Sequence, residues 1–220
     1  MPVAAVGFLH TSQMHVPTFR SLVGRQAPHL EVIDTVEETL LDDARQRGVD
    51  EVIRHRLQSH LIGLRDRGAS VVVCTCSTLG GAAEQLADAV DAPVIRIDRP
   101  MAQRAAAIGG RIAVVATVES TLASTRELLA ECLAASEHDA TLIDASCLDA
   151  WPLFESGDIS GYLDHIAGHV RQVATGADVI VLAQASMAPA VDQLAGLPVL
   201  CSPAIGVEAA VAIATDHPHR

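Results

Sequence analysis

The 220-residue chain contains no lysine. All 15 of its basic residues are arginine, against 27 acidic ones, so the formal net charge is −12. Without lysine there is no Schiff-base aldolase, no pyridoxal phosphate anchor and no P-loop lysine. Aromatic residues are nearly absent too, at 2% of the chain. There is no stacking platform for bases, and the acidic balance denies nucleic acid the concentrated positive face it requires. No apolar run approaches the roughly 18–20 residues that cross a bilayer, so a membrane partner is not expected. The stretch from Met1 to His10 has no charged n-region and does not read as a signal peptide. The cysteines are Cys74, Cys76, Cys132, Cys147 and Cys201, an odd and scattered set unlike a disulfide framework. A reduced, cytoplasmic protein is the expectation.

What the chain does have is an alternation of short β-rich runs with amphipathic stretches. Strands are predicted at Val3 to Leu9, Leu30 to Asp34, Ser70 to Thr75 and Val94 to Ile97. Thr35-Val-Glu-Glu38 reads as a capping box for a helix to about Arg47, with Gly48 as its stop. Asp50 to Arg67 carries Ile53, Leu57, Leu61 and Leu64 at helical spacing. Further helices are predicted from about Leu79 and from Pro100. The pattern then restarts. Strands are predicted at Arg111 to Thr117, Thr141 to Asp144, Val179 to Ala183 and Pro198 to Cys201. A second capping box, Ser124-Thr-Arg-Glu127, opens or supports a helix to about Ala135. Ile159, Tyr162, Ile166, Val170 and Val173 form a helical stripe, and Val207 to Thr215 a last helix. Strands alternating with helices predict parallel sheets covered on both faces, hence an α/β fold.

The restart is an internal repeat. Gly68 to Leu79 lies over Gly176 to Met187 at a constant offset of 108, and Ala5 to His10 lies over Ile112 to Thr117 at an offset near 107. The expectation is two pseudo-symmetric lobes, each a short parallel sheet flanked by helices. The first takes residues 1–98 and 204–220, the second residues 99–203. Ligands of parallel sheets bind beyond the carboxyl ends of strands. Those ends are His10-Thr11, Cys76-Ser77-Thr78, Thr117 and Gln184-Ala185-Ser186. In such an arrangement they would converge on one inter-lobe cleft, with Cys76 opposite Gln184.

These residues carry a resemblance to the aspartate/glutamate/hydantoin racemase superfamily that covers nearly the whole chain. In that family each lobe ends a strand in a cysteine-containing turn: Cys-Asn-Thr in the first, Gly-Cys-Thr or Gly-Cys-Ala in the second. Here the first turn is Cys76-Ser77-Thr78, and the second has Gln184 where the second cysteine belongs. Ala116-Thr117 leading to Ser120-Thr121 is similar to the family's second-lobe entry loop, and His10-Thr11 stands where many members have an acidic residue followed by serine.

The resemblance implies cofactor-independent chemistry beside the carboxylate of a small acid. A thiolate removes the α-proton, and hydrogen-bond donors hold the charge that develops. Cys76 is the implied base or nucleophile, with a helix N-terminus just beyond it to favour the thiolate. His10 is a second catalytic candidate, as imidazolium partner or as the other acid/base. Thr11, Ser77, Thr78, Thr117, Thr121, Gln184 and Ser186 are the implied substrate-binding residues. Glutamine does not titrate, so three routes stay open. Another residue such as His10 supplies the second proton. Or a single thiol runs a one-base decarboxylation, lyase or isomerase step. Or Cys76 forms a covalent adduct, as in maleate isomerases of the superfamily. A carboxylate-binding protein that has lost catalysis is the non-enzymatic alternative, and a homo-oligomer an open expectation of the family.

Plainer roles compete at several positions. Cys74 reads as a packing thiol. Ser77 and Thr78 are natural helix caps. His165 and His169 stand at i, i+4, a metal-compatible spacing, but no third ligand is near in sequence, so they read as an ordinary helix face and no metal is expected. Arg54, Arg56, Arg65 and Arg67 read as a solvated face. Arg96-Ile-Asp-Arg99 ends a strand near the first lobe's carboxyl edge, where contact with an anionic substrate and a buried pair between lobes are both open readings, and it is not counted in the core site.

Overall fold

The structure is a computed structural model that describes residues 4–173 and 175–216. Val3 of the predicted first strand, and the ends of the predicted first lobe at residues 1–3 and 217–220, lie outside the described residues. The chain divides into two compact units, one running to Ile97 and resuming at Pro203, the other Asp98–Ser202.

The first unit runs β1 (Ala5–His10), α1 (Val16–Gln26), β2 (Glu31–Val36), α2 (Thr39–Arg47), α3 (Glu51–Asp66), β3 (Val71–Cys74), α4 (Ser77–Gln85), α5 (Ala87–Val90) and β4 (Val94–Arg96). The second runs α6 (Arg99–Ile108), β5 (Gly110–Val115), α7 (Glu119–Ala134), β6 (Ala140–Asp144), α8 (Trp151–Glu155), α9 (Ile159–Val173), β7 (Val179–Leu182) and β8 (Val199–Cys201). Then α10 (Ser202–Asp216) returns to the first unit. Each unit holds one four-stranded parallel sheet, in orders β2-β1-β3-β4 and β6-β5-β7-β8. The α/β architecture expected from the alternating pattern is therefore present twice. All residues of β1, β3 and β7 are buried, which is why these runs are apolar without alternation.

Helix α3 follows its sequence signals closely. Asp50 caps it, its carboxylate accepting from the Ile53 amide at 2.9 Å. Ile53, Leu57, Leu61 and Leu64 are fully buried in the first unit's core. Each such side chain is worth about 1.5–3 kcal/mol against exposure. Gly48 closes α2 with φ 76°, a conformation that favours glycine.

Other expectations need correction. Thr35 is not a cap: it lies in β2, paired with Leu9 of β1, and α2 starts at Thr39 with no side-chain cap. Ladder hydrogen bonds of a strand beside buried β1 outweigh one capping bond. Ser124 likewise does not open α7, which begins five residues earlier at Glu119; its hydroxyl donates to the Thr121 carbonyl inside the helix. Helix α4 begins at Ser77 rather than near Leu79, and α10 at Ser202 rather than Val207. After β7 the chain takes a 3-10 helix, Ala185–Leu194, with Pro189 inside it, where the repeat predicted a second α-helix start.

The repeat holds at the level of hydrogen bonds, with one adjustment. Thr75 donates its amide to the Leu9 carbonyl at 3.0 Å, and Ala183 to Val115 at 2.9 Å. Thr75 and Ala183 keep the offset of 108, but Leu9 and Val115 are 106 apart, one short of the sequence overlay. The slip matters because side chains alternate faces along a strand. It puts Thr11, not His10, in the place that Thr117 holds in the second unit.

Candidate active site

In the first unit the strand ends are pinned beyond the regular ladder. Glu37 donates its amide to His10 O at 2.9 Å, and Ile97 to Cys74 O at 3.0 Å. The chain leaves β3 through Thr75 and places Cys76 as the N-cap of α4, with extended backbone at φ −94° and ψ 115°. Cys76 is buried, and so is Ser77 in the first turn; Thr78 is half-buried. An anion at this place gains from the dipole of the helix start. Cys74, two residues back, directs its Sγ at the Cys76 carbonyl, 3.7 Å away, and packs in the core.

Arg96 is the neighbour that sequence reasoning set aside. It is buried, and its Nη2 donates to the Ser77 carbonyl at 3.2 Å. Gly80 makes room for it: a Cβ there would stand 2.8 Å from Arg96 Cβ and 2.9 Å from its Nε. A permanent positive charge therefore lies on the first turns of the helix that Cys76 caps. The arginine at a parallel strand end and the Gly80-Gly81 pair one helical turn past the thiol were the available signals.

His10 is fully buried, and both ring nitrogens are engaged. Nδ1 lies 3.1 Å from Thr75 Oγ1, and Nε2 lies 3.0 Å from Asp34 Oδ1. The other Asp34 oxygen accepts from Arg20 Nε at 2.6 Å. Burial opposes ionisation of Asp34, but hydrogen bonds from His10 and Arg20 outweigh it and hold the carboxyl below its ordinary value. Phe19 packs its ring 5.3 Å from that of His10. Nearby His15 is pushed down to about 4, by burial and by the charge of His10. Thr11 is buried, and its hydroxyl makes no hydrogen bond to another described residue.

In the second unit three of the named residues meet in one network. Thr117 donates both its amide and its hydroxyl to Gln184 Oε1, at 2.6 and 2.9 Å. Tyr162 Oη lies 2.8 Å from Ser186 Oγ and 3.3 Å from Thr117 Oγ1. Burial pushes the Tyr162 phenol up, the bonds to Ser186 and Thr117 oppose this, and Cys147 adds to the rise. Thr121, in the first turn of α7, is buried. The sequence pattern places Tyr162 only in an apolar stripe. The signal was its being the sole tyrosine, since a buried phenol needs a partner.

The histidine pair on α9 separates. His169 Nε2 donates to Ala145 O at 3.0 Å, while His165 Nε2 lies 3.1 Å from Asp149 Oδ2. Asp149 Oδ1 in turn accepts from Cys147 Sγ at 3.6 Å. Burial, with the charge and hydrogen bond of Asp149, pushes the Cys147 thiol up to about 12. Among the described residues Cys147, Asp149 and His165 are the group whose donor atoms could hold a metal ion. No helix of the described residues is long and apolar enough to cross a membrane.

The fold is shared with solved racemases. An aspartate racemase from Picrophilus torridus is similar at TM-score 0.73 and 12% identity, covering 96% of this chain and 94% of its own. A glutamate racemase from Thermus thermophilus, in complex with beta-chloro-D-alanine, is similar at TM-score 0.74 and 19% identity, covering 98% and 82%. An arylmalonate decarboxylase is similar at 0.59 and 18%, covering 96% and 92%. No curated protein sequence matches the chain. The family model described as Asp/Glu/Hydantoin racemase matches residues 11–210, and with that the chain belongs to the Asp/Glu/Hydantoin racemase family.

Proposed function

We propose that this protein is a cofactor-independent isomerase-type enzyme acting at the carbon next to the carboxylate of a small acid, with Cys76 as base or nucleophile. The observation that carries this reading is the seat of Cys76: N-cap of α4, with the Arg96 guanidinium on the same helix start. Both effects favour a thiolate. As base, the thiolate takes the α-proton and becomes a thiol, the electron pair delocalises into the carboxylate, and the thiol returns a proton to carbon. Thr11, Ser77, Thr78, Thr117, Thr121, Gln184 and Ser186 supply donors for the carboxylate and its developing charge.

Gln184 favours one-base chemistry over two-thiol racemisation. Its amide neither gains nor loses a proton in the range where thiols titrate, and its orientation suits binding instead. His10 is assigned a positioning role through Thr75, the residue before Cys76, because both of its nitrogens are already occupied.

The test is α-proton exchange in heavy water across a panel of 2-substituted carboxylates, with product configuration and carbon dioxide release followed together. One-base chemistry gives exchange with retained configuration, or decarboxylation of a malonate-type acid to one enantiomer. Exchange with full racemisation would require a second acid. Melting shifts without turnover on any substrate would instead support a binding protein.

A further inference from the structure

The segment after β6, together with α9, builds a second constellation that the proposed chemistry does not use. Ala145 and Cys147 donate their amides to Val114 and Ala116 at 3.0 and 2.8 Å, so the chain keeps following β5 past the end of β6. A 3-10 turn, Leu148–Ala150, then folds back on Cys147, Ala150 N–H bonding Cys147 O at 3.2 Å. That turn carries Asp149 over the Cys147 sulfur. The third member comes from α9, which is tied down on both sides of His165. Tyr162 is fixed one turn before it by Ser186 and Thr117, and His169 one turn after it by Ala145. The three donor atoms all lie within 4.8 Å of one another.

We propose that Cys147 Sγ, Asp149 carboxylate and His165 Nε2 bind a divalent transition ion of the zinc class. The donor set selects the ion. One sulfur and one imidazole nitrogen suit zinc or cobalt and disfavour magnesium and calcium, which take oxygen shells. Ligand bonds of about 2.0–2.3 Å place tetrahedral donor atoms roughly 3.3–3.5 Å apart. The Asp149 carboxylate already reaches close to that distance from both partners through its two oxygens, Oδ1 at 3.6 Å from Cys147 Sγ and Oδ2 at 3.1 Å from His165 Nε2. Binding replaces its two hydrogen bonds with metal–ligand bonds, and the thiol proton passes to solvent as the metal–sulfur bond forms. The side chains of Asp149 and His165 are 72% and 40% exposed, which leaves the fourth position open to water or an added ligand.

Cobalt titration of the metal-free, reduced full chain tests this. The expected result is saturable binding of one ion per chain with a thiolate-to-cobalt charge-transfer band, bleached when zinc is added. Cys147→Ser removes the band. His165→Ala, on the exposed side, weakens binding by more than the roughly tenfold that losing even an outer-shell partner costs. Cys76→Ser keeps the band, so the result stands apart from the fate of the proposed reaction. No saturable band, or one that survives Cys147→Ser and His165→Ala, overturns the proposal. So does a band that disappears with Cys76→Ser.

Discussion

Thr117 decides which way Gln184 points. A backbone N–H can only donate, and so does the hydroxyl beside it here, so the side-chain atom they share must be the amide oxygen. The two amide hydrogens are thereby turned away from Thr117, as donors for an acceptor such as a carboxylate. Gln184→Glu keeps an oxygen for Thr117 but puts a negative charge where those hydrogens were. The expected outcome is a KM for the carboxylate substrate raised by roughly tenfold or more, with the melting temperature little changed, since losing a charge-assisted bond costs about 1.5–3 kcal/mol. His15 gives a second expectation at this scale. Its folded value of about 4 lies below the unfolded 6.5, so the unfolded chain binds the extra proton first. Stability is then full above the unfolded value, falls as pH drops from 6.5 toward 4, and levels below that. His15→Asn flattens this part of the profile, as denaturant midpoints between pH 4 and 7 will report.

Elements show why some of the site was legible and some was not. β3 and β7 with their following turns were readable because strand, turn and helix start are contiguous, and the repeat supplied an independent copy. Cys76, Thr117, Gln184 and Ser186 could be named on that basis. Arg20, Asp34 and His10 could not be linked in advance, because their contact depends on the β1–β2 register across 24 residues of chain. The first capping box has the right residues in the wrong place, since a cap is one bond and a ladder outweighs it, whereas the second lies inside α7 and does not open it. Helix α1 went unread although Phe19, Leu22 and Val23 stand at helical spacing on its buried face. Helix α4 makes a testable link between packing and chemistry. Gly80→Ala forces Arg96 off the first turns, because the added Cβ meets the arginine Cβ and Nε below 3.0 Å. The expected cost is about 1–3 kcal/mol of overpacking. Cys76 alkylation at neutral pH also slows, as positive charge leaves the helix start. Gly206 in α10 is tighter still, a Cβ standing 2.2 Å from the Ile97 carbonyl oxygen, so Gly206→Ala is expected to destabilise the first unit.

The whole molecule is acidic, and that bears on how it would meet the proposed substrate. A net charge of −12 repels a small carboxylate at long range, while Arg96 and the donors at the strand ends act only at short range. Salt screens the first effect with a Debye length of about 10 Å at 0.1 M and leaves buried groups largely untouched. kcat/KM is therefore expected to rise as ionic strength goes from low to physiological values, the reverse of a steered enzyme. The missing lysine fits the same picture, for the chemistry proposed rests on a thiol, an amide and hydroxyls. Its central claim is that Cys76 moves the α-proton. Comparing the wild-type and Cys76→Ala rates of deuterium incorporation at the α-carbon, in proteins shown to melt alike, tests it most directly. A general base contributes typically 10²–10⁴-fold, so a loss of that order is the expected result. An unchanged exchange rate in Cys76→Ala would contradict it.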